Sequence, residues 1–166
     1  MPSTYEPIAT TTLTSAQSSV SFSSIVGTYT DLILLTSAAD DRNAGDEQIN
    51  IRFNSDTANN YSVTYMYGTG SSVGAGRSSN ISFGGIDRTG YNQKGAGTTH
   101  ILNYSNTTTY KTVLSTGGTS ESGGTIVAYV SCWRSTNAIT SITLTPNNGS
   151  NFDSGSTFTL YGIKAA

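Results

Sequence analysis

At 166 residues the chain has room for one domain with a core of its own, and its single cysteine, Cys132, excludes an intrachain disulfide. Charged residues are only 11% of it, against about 25% in ordinary soluble domains, and the net charge is -2. The eight basic residues are scattered singly, so no basic stripe awaits phosphates and a nucleic-acid partner is not expected.

The opening "MPSTYEPIATTTL" has no basic stretch leading into an apolar one, so no secretory leader is expected. No apolar run reaches the length of a membrane span, so a soluble protein made in a cytoplasm and without a membrane partner is expected. Pro2 and Pro7 disfavour helix, and residues 1–12 read as an extended arm or first strand anchored by Tyr5 and Ile8. Residues 13–166 then form the single domain. Apolar residues recur with period two almost throughout, which marks strands. The arm passes into a strand near Tyr5–Leu13, and a short one follows near Ser19–Phe22. "DLILL" (Asp31–Leu35) is apolar on both faces, whereas "INIRFN" alternates, with Ile49, Ile51 and Phe53 on one side. "YSVTYMY" places Tyr61, Val63, Tyr65 and Tyr67 together, as a core face or an aromatic platform. The glycine-rich "GTGSSVGAGRSSN" (Gly68–Asn80) reads as a flexible hairpin loop. Strands are expected near Ile81–Phe83, Thr99–Tyr104 and Tyr110–Leu114.

"TIVAYVSCW" (Thr125–Trp133) is again apolar on both faces. Ile126, Ala128, Val130 and Cys132 share one side; Val127, Tyr129 and Trp133 share the other. "SITLT" alternates, and the chain closes on "STFTLYGIKAA", where Phe158 and Leu160 would face the core and Tyr161 and Ile163 the outside. Many short strands between turn-rich breakers predict an all-β fold, a jelly-roll-like antiparallel β-sandwich. Strands apolar on both faces need cover on the outer one, from the amino-terminal arm or from other subunits. Tyr5, Ile8, Val127, Tyr129, Trp133, Tyr161 and Ile163 are the interface candidates.

Chemistry is scarce. His100 is the only histidine, and one histidine with one cysteine cannot complete a zinc site. The glycine-rich stretch matches neither phosphate-cradling loop pattern. The acidic loop "DDRNAGDE" offers oxygens from Asp40, Asp41, Asp46 and Glu47 that calcium would accept, yet it breaks the EF-hand spacing and reads first as a solvated loop. Neither a cofactor nor a catalytic residue is expected, and the protein reads as non-enzymatic. Five Asn-x-Ser/Thr triplets fit chance in a chain this rich in those residues.

Both ends carry longer patterns. "PSTYEPIATTTLTSAQSSVSFSSI" with "YTDL" (Tyr29–Leu32), then Phe53–Asp56 with Asn60–Tyr61, then "WRSTNAITSITLTPNNGSNFDSGSTFTLYGIKAA" together resemble a group of small tailed-bacteriophage virion proteins. The resemblance spans most of the chain, leaving the acidic loop and Asp87–Thr99 unmatched. It implies a structural role without catalytic residues: a capsid decoration or cement protein, homotrimeric, bound to neighbouring subunits of the major capsid protein. Its place would then be the capsid surface of the virion, after assembly in the host cytoplasm. The alternative it leaves open is a tail-fibre or receptor-binding module gripping host glycans through its Tyr and Trp residues.

Overall fold

The computed structural model describes residues 4–43, 45–120 and 124–164. Alternation becomes twelve strands: β1 (Tyr5–Thr12), β2 (Val20–Phe22), β3 (Asp31–Asp40), β4 (Asp46–Phe53), β5 (Tyr61–Gly68) and β6 (Val73–Ile81), then β7 (Gly84–Tyr91), β8 (Gly95–Leu102), β9 (Lys111–Gly118), β10 (Ile126–Trp133), β11 (Ile142–Pro146) and β12 (Thr157–Ile163). One 3-10 turn at Asn147–Gly149 is the only helical element among the described residues, and none is long or apolar enough to cross a membrane. The strands form a sandwich of unequal layers. The larger runs β1-β12-β3-β8-β9-β10-β5-β6, the smaller β2-β11-β4-β7. Pairing is antiparallel except where the end of β3 meets β7 in parallel at Ala39 and Asp40, which joins the layers into one open, mixed sheet.

Between the layers lie the inward sets of each strand: Leu32 and Leu34, Ile49 and Ile51, Phe158 and Leu160, all wholly buried. Burying a side chain of this size stabilises a fold by about 1.5–3 kcal/mol, so these alternating positions are what hold each strand's register. The closing strand is tied down within its own chain. β12 lies between β1 and β3, the Lys164 amide donates to the Thr4 carbonyl at 3.1 Å, and the Lys164 ammonium pairs with Glu6 at 2.8 Å. Residues 5–12 of the expected arm are therefore an edge strand of the chain's own sheet; residues 1–3 lie outside the described residues.

Two stretches depart from the sequence reading. Gly68–Asn80 is mostly strand. Gly74 and Gly76 stand opposite Tyr67 and Tyr65, and a Cβ at either would come within 2.6 Å of the facing ring. The tyrosines lie across the glycines, which supplies the side-chain cover that glycine lacks in a strand. Gly84–Tyr91, with three glycines and a charged pair, is the buried strand β7. It packs across β8, β9 and β10 and is fastened by side chains. Ser131 Oγ donates to the Gly85 carbonyl at 2.8 Å, Ser115 donates to the Ile86 carbonyl, and Thr89 donates to Asp40 at 2.5 Å.

Candidate functional site

The residues singled out for chemistry are held by other parts of the protein. Asp40 is wholly buried and accepts from Thr89 and from the Arg42 amide at 2.8 Å. Asp41 accepts from the Asn151 amide and side chain at 2.8 and 2.7 Å, and these bonds hold its carboxyl below the usual range. Asp46 pairs with Arg88 at 3.3 Å, and Glu47 with Arg42 at 2.8 Å. Burial pushes the Glu47 carboxyl up, against the pull of Asn148 and Arg42. Among the described residues no three His, Cys, Asp or Glu side chains gather in an arrangement that could hold a metal; Ala44 of this loop lies outside them. Gly70–Gly74 spells G-x-S-x-G, the pattern of a serine nucleophile elbow. Here it is the turn between antiparallel β5 and β6, with Ser72 facing solvent and the Thr69 hydroxyl at 2.9 Å, not the strand-to-helix turn that such a nucleophile requires.

The Phe53–Tyr61 and Trp133 motifs meet in one structural knot. Phe53, Tyr61 and Trp133 pack with ring centroids 5.6–6.4 Å apart. The Trp133 indole donates to Asp56 at 2.7 Å, beside donations from Asn60 at 3.0 Å and the Ala58 amide at 2.9 Å. Burial raises the Asp56 carboxyl, but these three bonds outweigh it and hold it below its ordinary value. Asn54, in a left-handed conformation, accepts from the Thr140 and Ser141 amides at 2.8 and 3.1 Å. These residues stitch β4, β5 and β10 to the segment before β11. Trp133 is 2% exposed and Tyr61 1%, so neither is a platform on which a sugar could stack.

The same burial relocates the interface candidates. Val127, Tyr129 and Trp133 point between the layers; the outward side of β10 is Ile126, Ala128 and Val130. In a strand apolar on both faces, alternation does not say which face is inner. Here the bulky aromatic set fills the interlayer space. Ile8 packs against the core, while Tyr5 is exposed and Tyr161 and Ile163 are half-buried.

What remains outside is an apolar face of the larger layer. Cross-strand partners line up in rows, the central one running Tyr161, Ile33, His100, Leu114, Val130. The next runs Leu35, Thr98, Thr116, Ala128, Met66, Ala75, and a third ends on Ile126, Gly68 and Val73. Past Val130 the central row continues through Thr64 to Arg77 on edge strand β6, and Asp31, opposite Ile163, lies one row away on the same face. Val73, Ile126 and Met66 are 89%, 77% and 64% exposed. They rim a groove of about 720 Å3 floored by Gly68, Gly74, Ala75 and Ala128. A second depression, of about 330 Å3, lies among Tyr5, Ile33, Leu35, His100 and Tyr161.

No family model matches the chain, and neither does any curated protein or solved structure.

Proposed function

We propose that this chain is a non-enzymatic structural protein of a tailed-bacteriophage virion: a capsid decoration or cement protein that self-associates as a homotrimer and clamps neighbouring subunits of the major capsid protein. The observation that carries the reading is the outer face of the larger layer, poor in charge, with Ile126, Val130, Leu114 and Met66 turned to solvent. Contiguous apolar patches beyond a few hundred Å2 are rare on proteins that work alone and mark interaction surfaces. The terminal motifs that resemble virion proteins support it as well. In this chain they form the closing strand between β1 and β3 and the Asp56–Trp133 knot, which serve a rigid module.

The function so proposed is mechanical. Apolar contact excludes water and needs no charge pairing, so attachment survives salt that would screen an ionic contact. Purified protein added to heads that lack it should cosediment with them at both low and high ionic strength and raise the temperature at which they release DNA. Heads that neither bind it nor gain thermal resistance would contradict the proposal.

A further inference from the structure

We infer that the open edge of β6 is a docking site for an extended segment of another polypeptide, which adds to the larger layer as a further antiparallel strand and sets a carboxylate against Arg77. The site is the rim of the sheet, not its outer face, and the inference does not rest on the virion role.

Proteins blunt their sheet edges with short strands, prolines, bulges and charges. The larger layer ends on β1 and β6, the smaller on β2. β1 carries Pro7, a register shift beside it and the Glu6–Lys164 pair, and β2 has three residues. β6 has nine residues and no proline, pairs with β5 alone, and keeps an unbroken register from Val73 to Ser79.

The open side of β6 has a defined phase. Across the turn, the Thr69 amide donates to the Ser72 carbonyl at 2.9 Å. Bonded and non-bonded pairs alternate along an antiparallel ladder. Counting from that bond, Gly74 and Gly76 face β5, while Val73, Ala75 and Arg77 turn their amides and carbonyls outward. Donors and acceptors recurring at this spacing are matched along their length by another extended backbone.

The side chains say what such a strand should carry. Its residues opposite Gly74 and Gly76 would lie against the half-buried Tyr67 and Tyr65 rings, which fill the space those glycines leave, and aromatic rings pair well with β-branched side chains. Opposite Val73 an aliphatic residue would border the groove. Arg77 is exposed and has no carboxylate partner among the described residues, and β5, β6, β9 and β10 contain no acid. Opposite potential selects a partner, so a glutamate or aspartate belongs there. A second copy of β6 would bring another arginine to the seam and no acid.

Nuclear magnetic resonance on the isotope-labelled full chain tests the inference, with the capped peptide Thr-Glu-Val-Thr-Val-Leu-Ser as probe. Aligned antiparallel, its glutamate stands opposite Arg77. The Val73, Ala75 and Arg77 amides should shift, and their hydrogen exchange should slow about tenfold with peptide at ten times its Kd. A peptide with lysine for glutamate should bind about fivefold more weakly at low salt, and Arg77→Glu should reverse that preference. Ala75→Pro removes one outward amide and should abolish binding, since proline is tolerated where an edge N–H faces solvent, whereas Ala75→Ser should bind as the parent does. Near-ultraviolet circular dichroism from buried Trp133 shows whether each variant is folded. No shift at millimolar peptide overturns the inference, as do shifts centred on β1, an unreversed preference in folded Arg77→Glu, or undiminished binding by folded Ala75→Pro. Slow exchange at these amides without peptide, lost on dilution, would place a second copy on the edge and overturn it too.

Discussion

Asp87 meets no solvent, and its carboxylate lies against the backbone of the facing layer at Gly97 and Gly117, where an added Cβ would come within 2.1 and 2.0 Å of its oxygens. It accepts from the Thr36 hydroxyl and from the Arg88 amide at 2.7 Å. Burial nevertheless dominates and pushes its pKa from 3.8 to about 6, over the opposing pull of those bonds and of the Arg88 charge. Between about pH 4 and about pH 6 the folded chain thus keeps a proton that the unfolded chain has released. The stabilisation from that proton is complete below the unfolded value and is lost as pH rises through about 6. A shift of roughly two units corresponds to about 3 kcal/mol. Asp87→Asn carries no such charge. In urea unfolding its stability relative to the parent should rise by on the order of 3 kcal/mol between about pH 4 and about pH 8. A difference independent of pH would mean that the parent's Asp87 is ionised without cost. Asp56 works in the opposite sense, its carboxylate holding the Trp133 indole from the rim of the aromatic knot. Asp56→Ala strands that buried N–H and should cost about 1–3 kcal/mol, with a changed Trp133 emission. Unchanged stability would show that the indole has another acceptor.

At the scale of elements, β12 bridges β1 and β3 and sends Phe158 and Leu160 into the core. A chain ending at Gly155 loses both pairings and should fail to unfold cooperatively, by circular dichroism during heating. A truncated chain with a cooperative transition would make β12 an accessory. Strands such as β4 and β11 were legible because each has one apolar and one polar face, so alternation reports burial directly. β6 was hidden because its inward positions are glycines whose cover comes from Tyr65 and Tyr67 on the next strand, a relation that local pattern does not contain. β7 was hidden because its buried Asp87 and Thr89 find partners far along the chain, on Thr36 and Asp40. The inner and outer faces of β10 were exchanged in the sequence reading for a related reason. Both are apolar, and only the position of Phe53 and Tyr61 decides that Trp133 goes inside.

For the whole molecule, these residues and strands amount to a sandwich that buries Phe53, Tyr61, Tyr129 and Trp133 between its layers and presents Ile126, Val130, Leu114 and Met66 to solvent. The exposed apolar side chains of the larger layer could be read from sequence only as a surplus, since β3 and β10 have more apolar positions than one core can take. Contacts through such a face depend on excluded water, so raising sodium chloride from low to molar concentration should leave the mass of the assembly unchanged in light scattering. Dissociation with salt would mean that ion pairs hold it instead. The most direct test of the central claim is the number of copies per purified virion, counted by quantitative mass spectrometry against the major capsid protein. A head-coating structural protein predicts a simple whole-number ratio to the capsid subunits. Absence from the particle, or only a few copies on it, would contradict the account.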